Sequence, residues 1–227
     1  MKENELDMNI TYYDVIPTSL NSGIIQIVDS STTIYDIYNL HKTTLLNYIL
    51  EKNSSNKVEN LRHKFITSLA SYCVITYLLG IGDRHLDNIM ITNDGLLFHI
   101  DFGYILGKDP KPIAPEIRLT PEMIDAMGGM NSKHYRKFKE YCVIAYNCLR
   151  RHAPIFYVLL MSLTEYVPSV DENINQKSIK EHIIQRFMPG ENYREAERQF
   201  NTKLENNSNT DRKSTRLNSS HANISYA

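Results

Sequence analysis

The stretch that decides the fold of this chain is Gly82-Asp83-Arg84-His85-Leu86-Asp87-Asn88, followed after a short polar segment by Phe98-His99-Ile100-Asp101-Phe102-Gly103. Asn88 and Asp101 carry the hard oxygen ligands that Mg²⁺ accepts. Residues 83–85 place an acid, a cation and a base beside them. The two stretches together therefore predict a site for the chemistry of a charged substrate.

The segment between these two stretches predicts a β-hairpin. Two short apolar runs flank Thr92-Asn93-Asp94-Gly95, and Asp-Gly between apolar runs is a strong hairpin signal. A hairpin brings the residue before its first strand close to the residue after its second strand. We therefore expect Asn88 and Asp101 to converge, and we interpret Asp94 as a turn residue.

The bulk composition describes a globular protein. Of its 227 residues 42% are hydrophobic, and the formal net charge is −1, so we expect an ordinary core and no nucleic-acid partner. The longest apolar run, Ile155 to Met161, is well short of the roughly 20 residues that span a bilayer, which predicts a buried helix. Cys73, Cys142 and Cys148 form no CxxC pair, so we expect buried free thiols in a reduced, intracellular setting.

The hydrophobic pattern predicts an α+β fold that is mostly helical. The β-branched and aromatic runs 10–16 and 23–28 predict a hairpin across the turn-like residues 17–22. Three prolines within residues 104–120 exclude a regular helix there. Helices are predicted over residues 34–50, 61–79, 121–127, 131–151, 154–167, 176–187 and 191–204.

The segments Gly80–Asn88 and His99–Pro112 resemble the phosphatidylinositol 3-/4-kinase family. The order Asp-Arg-His-x-x-Asn differs from the His-Arg-Asp-x-x-x-x-Asn of ordinary protein kinases. Within the family, Tyr72–Gly80, Gly107–Pro112 and Met127–Gly129 are most similar to the class III, vacuolar-sorting type of phosphatidylinositol 3-kinase.

The resemblance covers roughly residues 5–204 and implies a domain organisation. We expect the mostly helical C-terminal lobe of a protein-kinase-like fold, with short β-hairpins at the nucleotide cleft. Residues 1–30 would be the hinge and the end of the N-terminal lobe, and residues 31–205 the C-terminal lobe. Its functional segments would be the catalytic loop 80–88, the metal motif 99–103 and the activation loop 101–120.

The resemblance also implies ATP and Mg²⁺ or Mn²⁺ as cofactors, and roles for five residues. Asp101 resembles the metal-binding Asp and Asn88 its partner ligand. His85 resembles the general base toward the inositol hydroxyl, with Asp83 orienting or assisting it. Arg84 would brace the loop.

The adenine site would lie on the strand that links the two lobes. Backbone groups of Gln26 and Val28 would meet the base, and Ile25 and Tyr13 would line its pocket. We count Ile100, next to the metal-binding Asp, among the nucleotide-binding residues.

The activation loop selects the lipid in this family. Its cations are Lys108, Lys111 and Arg118, partly offset by Asp109 and Glu116. Every further headgroup phosphate would require its own Lys or Arg partner. The small excess of positive charge in the loop therefore favours unphosphorylated phosphatidylinositol. Outside this loop, we interpret His99 as structural and Asp87 as a solvated turn acid.

The resemblance implies transfer of the ATP γ-phosphate to the 3-hydroxyl of phosphatidylinositol. The enzyme would be cytoplasmic and peripheral on endosomal or other intracellular membranes, with a protein-kinase-like regulatory subunit and scaffold proteins as partners. A phosphatidylinositol 4-kinase and a related Ser/Thr protein kinase share these motifs and remain alternatives. A non-catalytic fragment that binds partners through its helical surface is a third.

Two parts of the chain depart from the family pattern. Nothing before Tyr12 resembles the phosphate-covering loop or the phosphate-pairing lysine of the N-terminal lobe, so we expect little activity from this chain alone. The Asn- and Ser-rich residues 206–227 predict disorder. Within them, residues 212–227 resemble translated vector sequence.

Overall fold

Helix α3, Val58–Leu79, is the central element of the fold. A computed structural model describes residues 7–19, 22–53, 58–112, 114–163 and 175–206. In chain order the elements are β1 (Val15–Ser19), β2 (Ser22–Ile25), β3 (Ser31–Thr33), α1 (Ile34–Asn39), α2 (Leu45–Lys52), α3, a 3₁₀ turn (Leu86–Asn88), β4 (Ile89–Thr92), β5 (Leu97–His99), α4 (Pro121–Ala126), α5 (Lys133–Arg150), α6 (Ala153–Leu163), α7 (Gln176–Phe187) and α8 (193–206).

The chain forms two small antiparallel sheets. Strands β1, β2 and β3 precede α3 in the chain, and β4 and β5 follow it. Strands β1 and β2 form a hairpin, and β3, β4 and β5 form a three-stranded sheet in that order. In the second sheet Ile89 pairs with His99 and Thr32 pairs with Ile91. The predicted α+β class and both predicted hairpins are therefore confirmed.

Hydroxyl groups allow α3 to be buried despite its polar residues. Thr76 and Ser71 donate to carbonyls one turn earlier in the helix, which satisfies these buried hydroxyl groups. Ser68 also accepts the backbone amide of Leu97 at 3.0 Å, and the Tyr72 ring packs on the His99 ring at 4.9 Å. Helix α3 therefore fixes the strand that leads into residues 99–103.

The predicted helix over residues 34–50 is wrong in one respect, because it is two helices. Helix α1 is capped by Thr33, whose side chain accepts the Asp36 amide, and α2 is capped in the same way by Thr44. Lys42, between them, has φ of 51°. Threonine side chains that cap a helix compete with continuation of the preceding one, and the apolar periodicity did not reveal this break.

Three further expectations require correction. The first strand of the first hairpin extends to Ser19. Pro17, which the sequence assigned to the turn, therefore lies in this strand and is followed by a bulge. Pro is tolerated at such edge and bulge positions. Strand β3 was not predicted, because Ser-Thr-Thr has no apolar alternation. Cys148 is exposed, whereas Cys73 and Cys142 are buried.

The apolar run at 155–161 is helical as predicted, but the helix is not buried. Ile155, Val158 and Leu159 are exposed on α6, and Phe156 packs on Phe187 of α7 with ring centroids 5.0 Å apart. None of the helices in the described part of the chain is long and apolar enough to cross a bilayer. Residues 207–227 of the predicted tail lie outside the described residues, as do residues 164–167 of the predicted helix 154–167.

Candidate active site

Arg84 joins the loop at 80–88 to the loop at 99–103. Its Nε donates to the Gly82 carbonyl at 2.7 Å and its Nη1 to the Ile100 carbonyl at 2.7 Å, while Nη2 donates to the carbonyl of Asp101. The side chain is buried, and its guanidinium lies 5.5 Å from the centre of the Phe102 ring. Burial lowers the pKa of Arg84, and the nearby Asp101 carboxylate opposes that effect. Arg84 therefore joins the two loops through their backbone carbonyls.

The β4–β5 hairpin places Asn88 beside the second loop. The Ile100 amide donates to the Asn88 carbonyl at 3.1 Å, one residue before Asp101. The Asn88 side chain is buried and its Nδ2 donates to the Asp83 carbonyl at 2.9 Å. The side-chain amide is thereby oriented by its nitrogen, which leaves the oxygen as the atom for a ligand.

Two aspartates of the site have left-handed backbone conformations. Asp83 has φ of 53° and Asp101 has φ of 57°, and such conformations of a non-glycine residue persist where the surroundings enforce them. The Asp83 amide donates to the Asp109 carboxylate at 2.8 Å, and the Asp101 carboxylate accepts the Gly103 amide at 3.2 Å. The backbone at both carboxylates is fixed by the neighbouring loop rather than by regular secondary structure.

His85 lies between two carboxylates. Its Nε2 is 3.8 Å from Asp83 Oδ2, and its Nδ1 is 3.6 Å from Asp87 Oδ2. Nδ1 also accepts the Asp87 amide at 3.3 Å. The ring is partly exposed, so a substrate can reach it. In this arrangement Nδ1 is an acceptor, so a neutral ring carries its proton on Nε2, the nitrogen nearer Asp83.

Tyr13 contacts the strand that leads into residues 99–103. The Tyr13 hydroxyl donates to the His99 carbonyl at 3.1 Å, and its ring packs on Phe98. Burial, followed by the charge of Arg84, lowers the pKa of His99 to about 3. His99 is therefore neutral and is surrounded by aromatic side chains, which agrees with the structural role that we expected.

Residues 104–109 pack directly against the catalytic loop at 80–88. The Gly107 amide donates to the Gly80 carbonyl at 2.8 Å, and the Gly82 amide donates to the Tyr104 carbonyl at 2.9 Å. A Cβ on Gly80 would lie 2.4 Å from the Gly107 nitrogen, and a Cβ on Gly82 would lie 2.0 Å from the Lys108 carbonyl oxygen. These two glycines are required because the two backbones approach too closely for any side chain.

The activation-loop cations do not all face the same space. Lys111 and Arg118 line a cleft together with Asp83 and Arg84. Lys108 lines a neighbouring cleft between the two loops. Two of the three cations named from the sequence therefore line the same cleft as Asp83 and Arg84, and the third lies in the adjoining cleft.

The residues assigned to adenine lie in the first hairpin and directly before and after it. Ile25 is exposed and Val28 is partly buried against the core. The Gln26 amide donates to the Asp14 carbonyl at 2.8 Å, and the Val28 carbonyl accepts the Ser31 hydroxyl at 2.7 Å. The Gln26 amide and the Val28 carbonyl are thus already in hydrogen bonds within the protein. An adenine ring bound here would pair with the Gln26 carbonyl and the Val28 amide.

The donor set fits a divalent cation and a nucleotide. Asn88 offers an amide oxygen and Asp101 a carboxylate oxygen, and hard cations such as Mg²⁺ are bound by one or two protein oxygens together with phosphates. Among the described residues, no group of three or more His, Cys, Asp and Glu side chains could hold a metal alone. The phosphates of a nucleotide would therefore have to complete the coordination.

Sequence reasoning did not find the structural use of the two loop acids. Asp109 accepts the Asp83 amide, and Glu116 forms ion pairs with Arg186 of α7 and Lys203 of α8. The sequence treated both acids as charges that offset the cations of the loop. Nothing in the local pattern indicates these partners, because they come from distant parts of the chain.

A mostly helical lobe with two small antiparallel sheets is the fold of a kinase-like catalytic domain. Comparisons with known proteins agree. A family model described as phosphatidylinositol 3- and 4-kinase matches residues 1–169. The chain belongs to this phosphatidylinositol 3- and 4-kinase family.

Several relatives are named as phosphatidylinositol 3-kinases. The chain is 42% identical over 177 residues to phosphatidylinositol 3-kinase VPS34 of Candida glabrata, which is 75% of this chain and 20% of the relative. It is 39% identical over 176 residues to VPS34 of Saccharomyces cerevisiae, again 75% and 20%. It is 42% identical over 156 residues to VPS34 of Arabidopsis thaliana, 66% of this chain and 19% of the relative. The chain thus spans about a fifth of the length of these curated relatives.

Proposed function

We propose that this chain is part of a phosphatidylinositol 3-kinase that transfers the ATP γ-phosphate to the 3-hydroxyl of phosphatidylinositol. The observation that supports the proposal is that Arg84 binds the backbone carbonyls of Ile100 and Asp101, while the Ile100 amide binds the Asn88 carbonyl, so the two loops that carry Asn88 and Asp101 are joined. Phosphoryl transfer depends mainly on positioning and charge neutralisation. A rigid pair of loops with oxygen donors is suited to that task.

Asn88 and Asp101 would hold Mg²⁺ or Mn²⁺ in this proposal. When bound, the ion neutralises phosphate charge. The residues of the first hairpin would hold the base, with the Gln26 carbonyl accepting from it and the Val28 amide donating to it. Tyr13 and Ile25 would pack beside the ring, and Ile100 beneath it.

His85 would remove the proton from the inositol hydroxyl. In the observed contact, Nδ1 accepts the Asp87 amide, so a neutral ring carries its proton on Nε2. For Nε2 to act as the base, the ring proton must be on Nδ1, which is 3.6 Å from the Asp87 carboxylate. Asp87 would then stabilise the imidazolium that forms, and Asp83, on the other side of the ring, would orient the incoming hydroxyl.

The cleft beside the catalytic loop would receive the headgroup. Lys111 and Arg118 line it with Asp83 and Arg84, and Lys108 lies in the adjoining cleft. A cation beside the catalytic acid suits a single phosphodiester better than several phosphates, each of which would require its own cation. Unphosphorylated phosphatidylinositol in a membrane is therefore the proposed substrate.

The proposal is tested by transfer of ³²P from Mg²⁺·ATP or Mn²⁺·ATP to phosphatidylinositol vesicles. Two proteins are compared: the 227-residue chain, and a chimera in which the chain replaces its matching segment in the Candida glabrata relative. Each has an Asp101→Ala control. Activity of the chimera that Asp101→Ala abolishes supports the proposal, and the short chain is expected to be nearly inactive.

Separation of the products distinguishes the alternatives. The 3-phosphate supports the proposal, whereas the 4-phosphate would indicate a phosphatidylinositol 4-kinase. Label on protein but not on lipid would indicate a Ser/Thr protein kinase. A folded chimera that transfers no label would favour a non-catalytic binding role.

A further inference from the structure

Glu116 is held by two cations from the C-terminal helices. Its Oε1 is 3.2 Å from Arg186 Nη1 on α7, and its Oε2 is 2.6 Å from Lys203 Nζ on α8. The carboxylate is only 29% exposed, and the neighbouring Ile117 is fully buried. The two contacts use different oxygens, so the carboxylate bridges two helices.

The same two cations lie over one aromatic ring of α3. Arg186 Cζ is 4.8 Å and Lys203 Nζ is 6.0 Å from the centre of the Tyr77 ring. Tyr77 is buried, and burial is the main reason that its pKa is raised. It lies less than one turn before Gly80, where the catalytic loop begins. The cluster of Glu116, Arg186, Lys203 and Tyr77 therefore joins four parts of the fold close to the catalytic loop.

The contact between Glu116 and Arg186 is strong because it neutralises a buried charge. Arg186 is 8% exposed, and a buried guanidinium without a counter-charge is strongly unfavourable. Glu116 supplies that charge from the loop. Release of the loop at this position would leave a buried cation without its carboxylate, so the loop and the two helices are expected to move together.

The other end of the same segment is fixed by a second acid. Asp109 accepts the Asp83 amide at 2.8 Å through Oδ2 and the Lys111 amide at 2.8 Å through Oδ1. Residues 110–115 lie between these two acids and include three prolines. The segment is thereby attached at 109 to the catalytic loop and at 116 to α7 and α8.

We propose that Glu116 is a positioning residue for the activation loop, which it fixes to α7 and α8 so that Lys111 and Arg118 face the cleft beside Asp83. The inference rests on the proposed function in one respect, since it assigns this loop to the recognition of an inositol phospholipid headgroup. The attachment itself is independent of any activity.

Hydrogen exchange on the 227-residue chain tests the attachment without a catalytic assay. Glu116→Gln keeps the shape of the side chain and removes its charge, and we expect amide exchange in residues 104–119 to be about tenfold faster. Lys203→Gln should accelerate the same residues, although Lys203 is 84 or more positions away from them. The double variant should add little to Glu116→Gln, because Glu116→Gln already removes the ion pair with Lys203.

Two controls separate this effect from a general loss of stability. Glu181→Gln removes an acid on the surface of α7 that pairs at 3.9 Å with Lys177 of the same helix. It should leave amide exchange in residues 104–119 within twofold of the parent chain. Lys203→Arg keeps the charge and should also stay within twofold. If Glu116→Gln does not fold, Lys203→Gln still tests the contact from the partly exposed side of the cluster. Unchanged loop exchange in folded Glu116→Gln or Lys203→Gln protein would overturn the proposal.

Kinetics in the chimera test the consequence for the lipid. We expect Glu116→Gln to raise KM for phosphatidylinositol vesicles about five- to tenfold, with KM for ATP within twofold of the parent chimera. An equal rise of both KM values would indicate general damage and contradict the positioning role. If the parent chimera is inactive, the proposed function fails, while the exchange result on the chain still decides whether the attachment exists.

Discussion

Replacement of Gly82 by Ala is the sharpest test of the close packing between the catalytic and activation loops. A Cβ at this position would lie 2.0 Å from the Lys108 carbonyl oxygen and 3.0 Å from the Asp109 Cα. An ordinary carbon–oxygen contact is about 3.3 Å, so the backbones must separate by about 1.3 Å. Gly82 does not have a left-handed backbone, so the effect of alanine is steric.

The magnitude follows from the contacts that such a separation breaks. Three hydrogen bonds join the loops next to Gly82: Gly82 amide to Tyr104, Asp83 amide to Asp109, and Gly107 amide to Gly80, at 2.9, 2.8 and 2.8 Å. Each is worth about 1 kcal/mol net. Gly82→Ala should therefore cost about 3 kcal/mol, which corresponds to about a hundredfold in an equilibrium constant.

Urea denaturation and hydrogen exchange measure this cost in the 227-residue chain. If the whole fold is affected, the free energy of unfolding falls by about 3 kcal/mol; if the loop alone separates, exchange in residues 104–109 is about a hundredfold faster. Gly190→Ala is the matched control, because nothing lies within 4 Å of its Cβ position. Equal stability and equal exchange in the Gly82→Ala and Gly190→Ala variants would refute the close approach.

Three further substitutions test individual residues of the site. Arg84→Lys cannot donate to three carbonyls at once and should lower the free energy of unfolding by about 2–3 kcal/mol in urea denaturation, whereas an unchanged midpoint would contradict the bracing role. His85→Gln in the chimera should lower kcat by about 10²- to 10⁴-fold, with ATP affinity within about twofold by nucleotide titration; normal turnover would exclude His85 as the base. Because the folded pKa of His99 is lowered from 6.5 to about 3, the unfolded chain binds its proton first as the pH falls. The stability that His99 contributes is therefore present above pH 6.5 and is lost between about pH 6.5 and 3, by up to about 1.4 kcal/mol per pH unit. His99→Gln should remove this slope from the pH dependence of urea unfolding, and an identical slope in both proteins would contradict a buried neutral ring.

Local signals were sufficient to predict that the loops at 80–88 and 99–103 meet. The Asp94-Gly95 turn between apolar runs fixes the hairpin, and the hairpin fixes which residues before and after it become neighbours. The observed bond from the Ile100 amide to the Asn88 carbonyl follows from that register. The helix bounds at Gln176–Phe187 were also predicted, because a capping residue and the apolar spacing agree there.

The parts that were not predicted depend on long-range contacts. Glu116 and Lys203 are 87 residues apart, and Asp83 and Asp109 are 26 apart. Whether a loop acid remains solvated or binds a distant cation depends on how the helices pack, and the composition of the loop does not contain that information. Strand β3 was missed for the same reason, since it is defined by its partner β4 and not by its own three residues.

The structure restrains the residues of the proposed site through atoms that the proposed chemistry would not use. Arg84 binds the backbone carbonyl of Asp101 and not its carboxylate, so the acid is fixed while its charge stays available. Asn88 is oriented by its Nδ2 on the Asp83 carbonyl, which leaves its side-chain oxygen for a ligand. Asp83 itself is fixed through its amide by Asp109, so its carboxylate can remain beside His85. Because each group is restrained by its backbone or by its opposite atom, the loops can be rigid before any substrate binds, and the cost of ordering them does not reduce the affinity for nucleotide or lipid.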